Sequence, residues 1–128
     1  MILLDSCVLF DHMRGKDPKL AALLAGLPVA VCGVTRAETL CGAKDPKHRA
    51  SLEAELNSFA QVPTPDSVWD AVGDNLAILR SNGVTIPFAD AMLATLAILN
   101  DLELWTRDAH FTLAQKWLPT LKLFQEPP

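Results

Sequence analysis

A chain of 128 residues, half of them apolar and carrying a net charge of −4, has the length of one domain and the apolar content for a sizeable core. No apolar run reaches the ~20 residues that a membrane span needs, and the opening MILLDSC lacks the basic stretch of a signal peptide, so a cytoplasmic location is expected. The acidic balance argues against a surface that binds nucleic acid throughout.

The charge is uneven. Residues 1–49 carry seven Lys/Arg against five acids, and residues 50–128 four against ten. The first share includes Arg14, Lys16, Lys44, Lys47 and Arg49, where a polyanion can approach. The cysteines Cys7, Cys32 and Cys41 show no CxxC spacing. They indicate neither a disulfide framework nor a zinc site and read as small buried residues.

In chain order, Met1–Leu4 is a short apolar run stopped by Asp5 and predicts a buried strand. Ser6 is placed to cap the helix VLFDHMRG, which ends at Gly15. Asp17-Pro18 pairs an N-cap with a proline at the first helical position and opens KLAALLAG, closed by Gly26. Pro28 leads into VAVCGV, a continuous β-branched run and the second buried strand. A helix follows from Thr35 to Gly42, and Thr35-Arg36-Ala37-Glu38 fits the capping-box pattern. Asp45-Pro46 breaks it, and HRASLEAELNSF reads as an amphipathic helix before the weak strand FAQVP. Thr64-Pro65-Asp66 starts another helix in the manner of Asp17-Pro18. Its apolar stripe is Val68, Trp69, Val72, Leu76 and Leu79, and Asn82-Gly83 ends it. After Pro87 come the central helix FADAMLATLAILN, a turn at Asp101-Leu102, the strand ELWT and a helix from Asp108 to Trp117. LKLF, with charged Lys122, closes the series as an edge strand.

Strands alternating with helices predict right-handed crossovers and a parallel sheet covered on both faces. Ligands in such sheets bind outside the carboxyl ends of the strands. Asp5 and Asp108 fall at strand ends, and Glu38 and Asp90 in the first turns of helices, so all four acids are predicted at one edge. Singly, each has a plain explanation: Glu38 completes a capping box, Asp108 caps its helix, and Asp90 complements a helix dipole. Asp5 has the weakest such explanation, because a charge beside four apolar residues needs a partner or a ligand. Small neighbours favour convergence. Ala94 and Ala97 share the face of Asp90, and Cys41 and Gly42 that of Glu38, so both helices can approach the sheet closely. Carboxylates that meet share protons or bind a cation, and oxygen donors point to Mg²⁺ or Mn²⁺. A P-loop and the GxGxxG, GxSxG and HExxH motifs are absent. His110 reads first as a histidine packed beside Phe111 and bonded to backbone, and second as a contact for substrate phosphate or a proton carrier.

With those residues in view, the chain resembles the PIN-domain ribonucleases, most closely the VapC-type toxins of bacterial toxin–antitoxin pairs, over nearly its whole length. LLDSCVLFDHMRG is similar to the family's first motif: Asp5 and Ser6 match, and Cys7 stands where Ser or Asn is commoner. VTRAETLCG resembles the second, with Thr35 and Glu38, and FADAMLATLA the third, with Asp90. LWTRDAHF resembles the fourth, with Thr106 and Asp108, and His110 stands where some relatives carry a further acid. The resemblance implies one PIN domain over residues 1–128, a three-layer α/β/α fold and a parallel sheet of about five strands. It also implies dependence on Mg²⁺ or Mn²⁺, endonucleolytic cleavage of RNA, a homodimer, and inhibition by a small cognate VapB-type antitoxin.

On this reading Asp5, Glu38, Asp90 and Asp108 are catalytic. Asp5, Asp90 and Asp108 ligate the metal directly or through water, and Glu38 holds a metal-activated water or a second ion. The expected products are a 5′-phosphate and a 3′-hydroxyl. Ser6, Thr35 and Thr106 orient carboxylates or waters, and Arg36, Arg107 and His110 are candidate contacts to RNA. Two rivals stand beside this. One is a catalytically degenerate PIN domain acting as a protein- or RNA-binding module, against which the presence of all four acids argues. The other is a phosphotransfer domain of similar shape. That domain would need an acidic pair near the first strand with a lysine after a late one, or a second acid where Cys7 stands. The leucine- and alanine-rich first helices read equally as antitoxin groove, core or dimer interface.

Overall fold

The computed structural model describes residues 1–15 and 17–128. The chain runs β1 (Ile2–Leu4), α1 (Ser6–Met13), α2 (Pro18–Gly26), β2 (Val29–Cys32), α3 (Gly33–Cys41), α4 (Pro46–Asn57) and β3 (Ala60–Val62), then α5 (Val68–Ser81), α6 (Phe88–Leu99), β4 (Glu103–Trp105), α7 (Ala109–Gln115) and β5 (Lys122–Leu123). The five strands form one sheet in the order β3-β2-β1-β4-β5, parallel at every pairing. The chain builds outward from β1 to β3, then crosses back to add β4 on the other side of β1. The strand order therefore reverses at β1, and a crevice is expected outside the carboxyl ends there.

Every residue of β1 and β2 is buried, which explains their unbroken apolar runs. The edge strands β3 and β5 carry Gln61 and Lys122 instead. Side chains alternate between the faces at period two. Leu3 and Leu104 join Leu93, Leu96 and Phe111 on one face. Ile2, Leu4 and Trp105 join Val8, Leu9 and Leu20 on the other. Residues 91 to 97 of α6 are all buried, because this helix packs against α3, α5, α7 and β4 together. Each large apolar side chain so buried contributes roughly 1.5–3 kcal/mol. The cap of α6 adds no side-chain bond, since Pro87 occupies it. Packing therefore fixes where Asp90, in its first turn, is held.

Asp17 caps its helix as predicted, accepting from Leu20 N at 3.1 Å; Asp45, read only as a break, also caps one, accepting from His48 N at 2.7 Å. Asp101 makes the turn after α6 in the left-handed region, at φ 53°, and Leu102 N returns to Ala97 O at 2.9 Å. Asp tolerates that conformation better than most residues.

Several predicted boundaries differ. Asp5, not Ser6, occupies the N-cap of α1, and neither side chain caps it; the Ser6 hydroxyl reaches Glu38 instead. α3 begins at Gly33, so Thr35 lies inside it and no capping box forms; the Thr35 hydroxyl donates to Leu4 O across to β1. Residues 65–68 make a turn closed by Val68 N on Pro65 O at 3.0 Å, so α5 starts later than Thr64-Pro65-Asp66 suggests. Trp69 lies one residue, about 100° of rotation, past Val68 and is 51% exposed, outside the stripe predicted for it. α7 stops at Gln115, short of Trp117.

Candidate active site at the carboxyl edge of the sheet

The backbone N–H of Asp5 donates to Trp105 O at 2.9 Å, carrying the β1–β4 pairing one residue past the strand. This fixes Asp5 at the strand end, 5% exposed. Its Oδ2 accepts from Thr106 Oγ1 at 2.8 Å and from Cys7 Sγ at 3.3 Å. Thr106 Oγ1 in turn accepts from Asp108 N at 3.0 Å. One hydroxyl thus ties the end of β1 to the start of α7.

The Thr35 bond to Leu4 O, at 2.7 Å, pins α3 against the end of β1. One turn later Glu38 Oε1 accepts from Ser6 Oγ at 3.2 Å. Asp90 is mostly covered, its side chain 13% exposed. Ala94 and Ala97, below it on α6, are fully buried, as expected for a helix that lies close on the sheet. Asp108 is the N-cap of α7 and accepts from His110 N at 2.9 Å.

His110 departs from its first reading. Its ring does not pack in the core with Phe111 but is half exposed, with Nδ1 3.0 Å from Asp90 Oδ2 and 3.2 Å from Asp108 Oδ1. Asp90, Asp108 and His110 each offer one donor atom, all within 4.8 Å of one another. Asp5 is outside this triplet.

The electrostatics tie the acids together. Burial pushes the Glu38 carboxyl up and the Ser6 hydrogen bond pulls it back, while the charges of Asp5 and Asp90 push it further. Burial likewise raises the Asp90 carboxyl. The His110 bond opposes this, and the charges of Asp5 and Asp108 add to it. The His110 imidazole is raised by the Asp90 hydrogen bond and then by the Asp108 charge. Among the described residues no Lys or Arg pairs with any of the four acids. Oxygen donors that crowd together without a fixed internal cation fit a divalent ion.

The predicted RNA contacts are engaged elsewhere. Arg36 donates to Asn57 Oδ1 at 2.7 Å and Gln61 Oε1 at 3.2 Å. Arg107 holds both carboxylate oxygens of Glu126 (2.8 and 2.6 Å) and Asp11 at 2.9 Å, with Asp17 at 3.5 Å. Of the basic residues expected to meet a polyanion, Arg14 pairs with Asp11 and Arg49 with Glu53, while Lys16 lies outside the described residues. Arg14, Lys44 and His48 line a separate groove of about 340 Å³ with Phe10, Met13 and Leu52. Beside the acids, Thr106, Arg107, Asp108, Thr112, Phe124 and Glu126 line a hollow of about 390 Å³.

Cys7 is the site residue that sequence reasoning left without a role. Burial pushes its thiol up to about 11, so it is a protonated donor to Asp5 and a poor nucleophile. Its position at the start of α1, two residues after the strand-end acid, was the available signal. Cys32 is buried as expected, but Cys41 is exposed.

A family model described as PIN domain matches residues 2–116. Ribonuclease VapC10 of Mycobacterium tuberculosis is 31% identical over 124 residues, covering 93% of this chain and 92% of its own. Among solved structures, the DNA-bound VapBC of Salmonella typhimurium aligns with a TM-score of 0.83 at 17% identity, over 96% of each chain. A toxin–antitoxin complex from Klebsiella pneumoniae aligns with a TM-score of 0.69 at 24% identity, over 94% of this chain and 95% of its own.

Proposed function

The chain belongs to the PIN-domain family, and from that premise we propose that it is the ribonuclease toxin of a toxin–antitoxin pair, a divalent-metal-dependent endonuclease acting on RNA phosphodiesters. The observation that carries the reading is the pairing of Asp90 and Asp108 at the switch in strand order, with Asp5 near enough for its charge to act on Asp90 and Glu38, and without Lys or Arg among the described ion pairs of the four acids. The PIN domain is taken as residues 1–128. A small VapB-type antitoxin and a homodimer are the proposed partners, supported by the 31% identity to a VapC ribonuclease. A cytoplasmic site of action agrees with the absence, among the described residues, of a helix long and apolar enough to cross a membrane.

Asp5, Asp90 and Asp108 are the proposed metal-holding carboxylates, with Mg²⁺ or Mn²⁺ as the ion. When bound, such an ion lowers the pKa of a water and neutralises charge developing on the phosphate. Glu38, with its carboxyl raised by burial and by its acidic neighbours, is suited to take the proton of the attacking water. Ser6 aims Glu38, and Thr106 aims Asp5. Thr35 holds α3 against the strand end.

The test is cleavage of single-stranded RNA by the purified protein, with Mg²⁺ or Mn²⁺ and with EDTA. Loss of cleavage in EDTA and in a folded Asp5→Ala variant is expected. Undiminished cleavage by that variant, or in EDTA, overturns the mechanism.

A further inference from the structure

The compact donor set at this edge is not made of oxygen alone. Nδ1 of His110 stands 3.0 Å from Asp90 Oδ2 and 3.2 Å from Asp108 Oδ1. Bonds of about 2.1 Å at right angles around a small dication separate neighbouring donor atoms by about 3 Å. The ring nitrogen therefore already keeps the spacing of a ligand towards each carboxylate. It is also held there locally, because His110 N donates to Asp108 Oδ1 at 2.9 Å and so fixes the residue in the first turn of α7. The half exposure of the ring leaves room for an exchange of partners without repacking the core.

We propose that His110, through Nδ1, is a ligand to the divalent ion held with Asp90 and Asp108, and that this nitrogen makes the site prefer Mn²⁺ over Mg²⁺. The inference rests on the metal-dependent reading above and refines it. Mg²⁺ keeps to oxygen donors and near-ideal octahedral geometry, whereas imidazole suits first-row transition ions. A ring acting only as a countercharge to two carboxylates would instead be displaced when the dication arrives, and its nitrogen would lie outside the coordination shell.

The two outcomes separate spectroscopically, without an activity assay. Metal-free protein loaded with one equivalent of Mn²⁺ is examined by electron spin-echo envelope modulation. Binding of Mn²⁺ and of Mg²⁺ is measured in parallel by calorimetry, for wild type and His110→Asp. Wild type is expected to show ¹⁴N modulation from a directly bound imidazole and to bind Mn²⁺ at least tenfold more tightly than Mg²⁺. In His110→Asp the modulation should vanish and that ratio should fall severalfold. Mn²⁺ bound without nitrogen modulation, or an equal Mn²⁺:Mg²⁺ ratio in the two proteins, overturns the proposal while leaving the metal-dependent nuclease intact. Failure of wild type to bind either ion overturns both. Because the spectrum is taken on wild type, the proposal stays exposed to refutation even if the variant folds poorly.

Discussion

Arg107 and Asp108 are neighbours in the chain, yet they face two acidic clusters of opposite character. On one side Asp11, Asp17 and Glu126 surround the Arg107 guanidinium, which holds the Glu126 carboxyl below its usual range and is itself raised by it. On the other side Asp90 and Glu38 are pushed up, first by burial, with neighbouring acids adding to it. The His110 ring faces that cluster, its Nδ1 3.0 Å from Asp90 Oδ2 and 3.2 Å from Asp108 Oδ1. The first cluster is built around a fixed cation and ties the segment around Glu126 to α1 and to the loop before α7. The second, at the crevice, has no Lys or Arg among its described ion pairs. Perturbation by desolvation and like charge in a cleft is a mark of a functional site.

The sharpest way to break this contrast is to neutralise one acid from each side. Asp90→Asn is expected to lower metal-dependent RNA cleavage by about 100-fold or more, a loss typical of removing a group that stabilises transition-state charge. Its thermal midpoint in EDTA should rise, because a charge held unfavourably has gone. Glu126→Gln is expected to keep most of the cleavage. A Glu126 variant as inactive as Asp90→Asn would mean that the two clusters form one site.

Metal binding should divide them next. An ion at 100 times its Kd stabilises the folded chain by about 2.7 kcal/mol. Thermal or chemical denaturation with Mn²⁺ should show that gain in wild type and in Glu126→Gln, and lose most of it in Asp90→Asn. Equal stabilisation of all three proteins would place the ion elsewhere.

Much of this contrast was legible before any coordinates. The sheet followed from apolar runs at β1 and β2, and the positions of Asp5 and Asp108 followed from where those runs and β4 stop. Asp90 followed from a helix start; Glu38 did not, since α3 begins at Gly33 and places it past the first turn, and the reason assigned to Thr35 was local. Its hydroxyl crosses to β1, a partner 31 residues away that no capping pattern encodes. The partners of Arg107 were illegible for the same reason. Asp11, Asp17 and Glu126 are 96, 90 and 19 residues distant, so a residue read as a free cation is a clamped one. His110 was misread because Phe111 beside it is fully buried. Adjacent residues on a helix point about 100° apart, and here that angle separates core from crevice.

The cluster around Arg107 should show itself as a smaller loss of stability. Glu126→Gln replaces one arm of a bidentate pair whose side chains are 28% and 30% exposed. Solvent screening limits such a pair, but the two parallel bonds and the further acids on Arg107 lift it above an isolated surface contact, to about 1 kcal/mol. Urea denaturation in EDTA should register the loss. No change would mean that Asp11 and Asp17 alone satisfy Arg107.

The smallest effect, and the one that reads the contrast by sign, is the pH dependence of stability in EDTA. Glu126 has a lowered folded pKa. Its contribution is therefore present above the ordinary carboxylate value and is lost as pH falls through the lowered one. Asp90 and Glu38 have raised folded pKa values. The native state then binds protons more tightly than the unfolded chain, so stability falls as pH rises from the ordinary value through the raised one, and the penalty is complete above it. His110, also raised, stabilises below its ordinary value and loses that contribution as pH rises through the raised one. Acidification from neutral pH should therefore shrink the advantage of Asp90→Asn over wild type before it touches the deficit of Glu126→Gln. The deficit should close only below the ordinary carboxylate range. Chemical denaturation at half-unit intervals from pH 7.5 to 3.5 follows both differences. If they close together and with the same sign, the acids at the crevice are held no differently from those around Arg107.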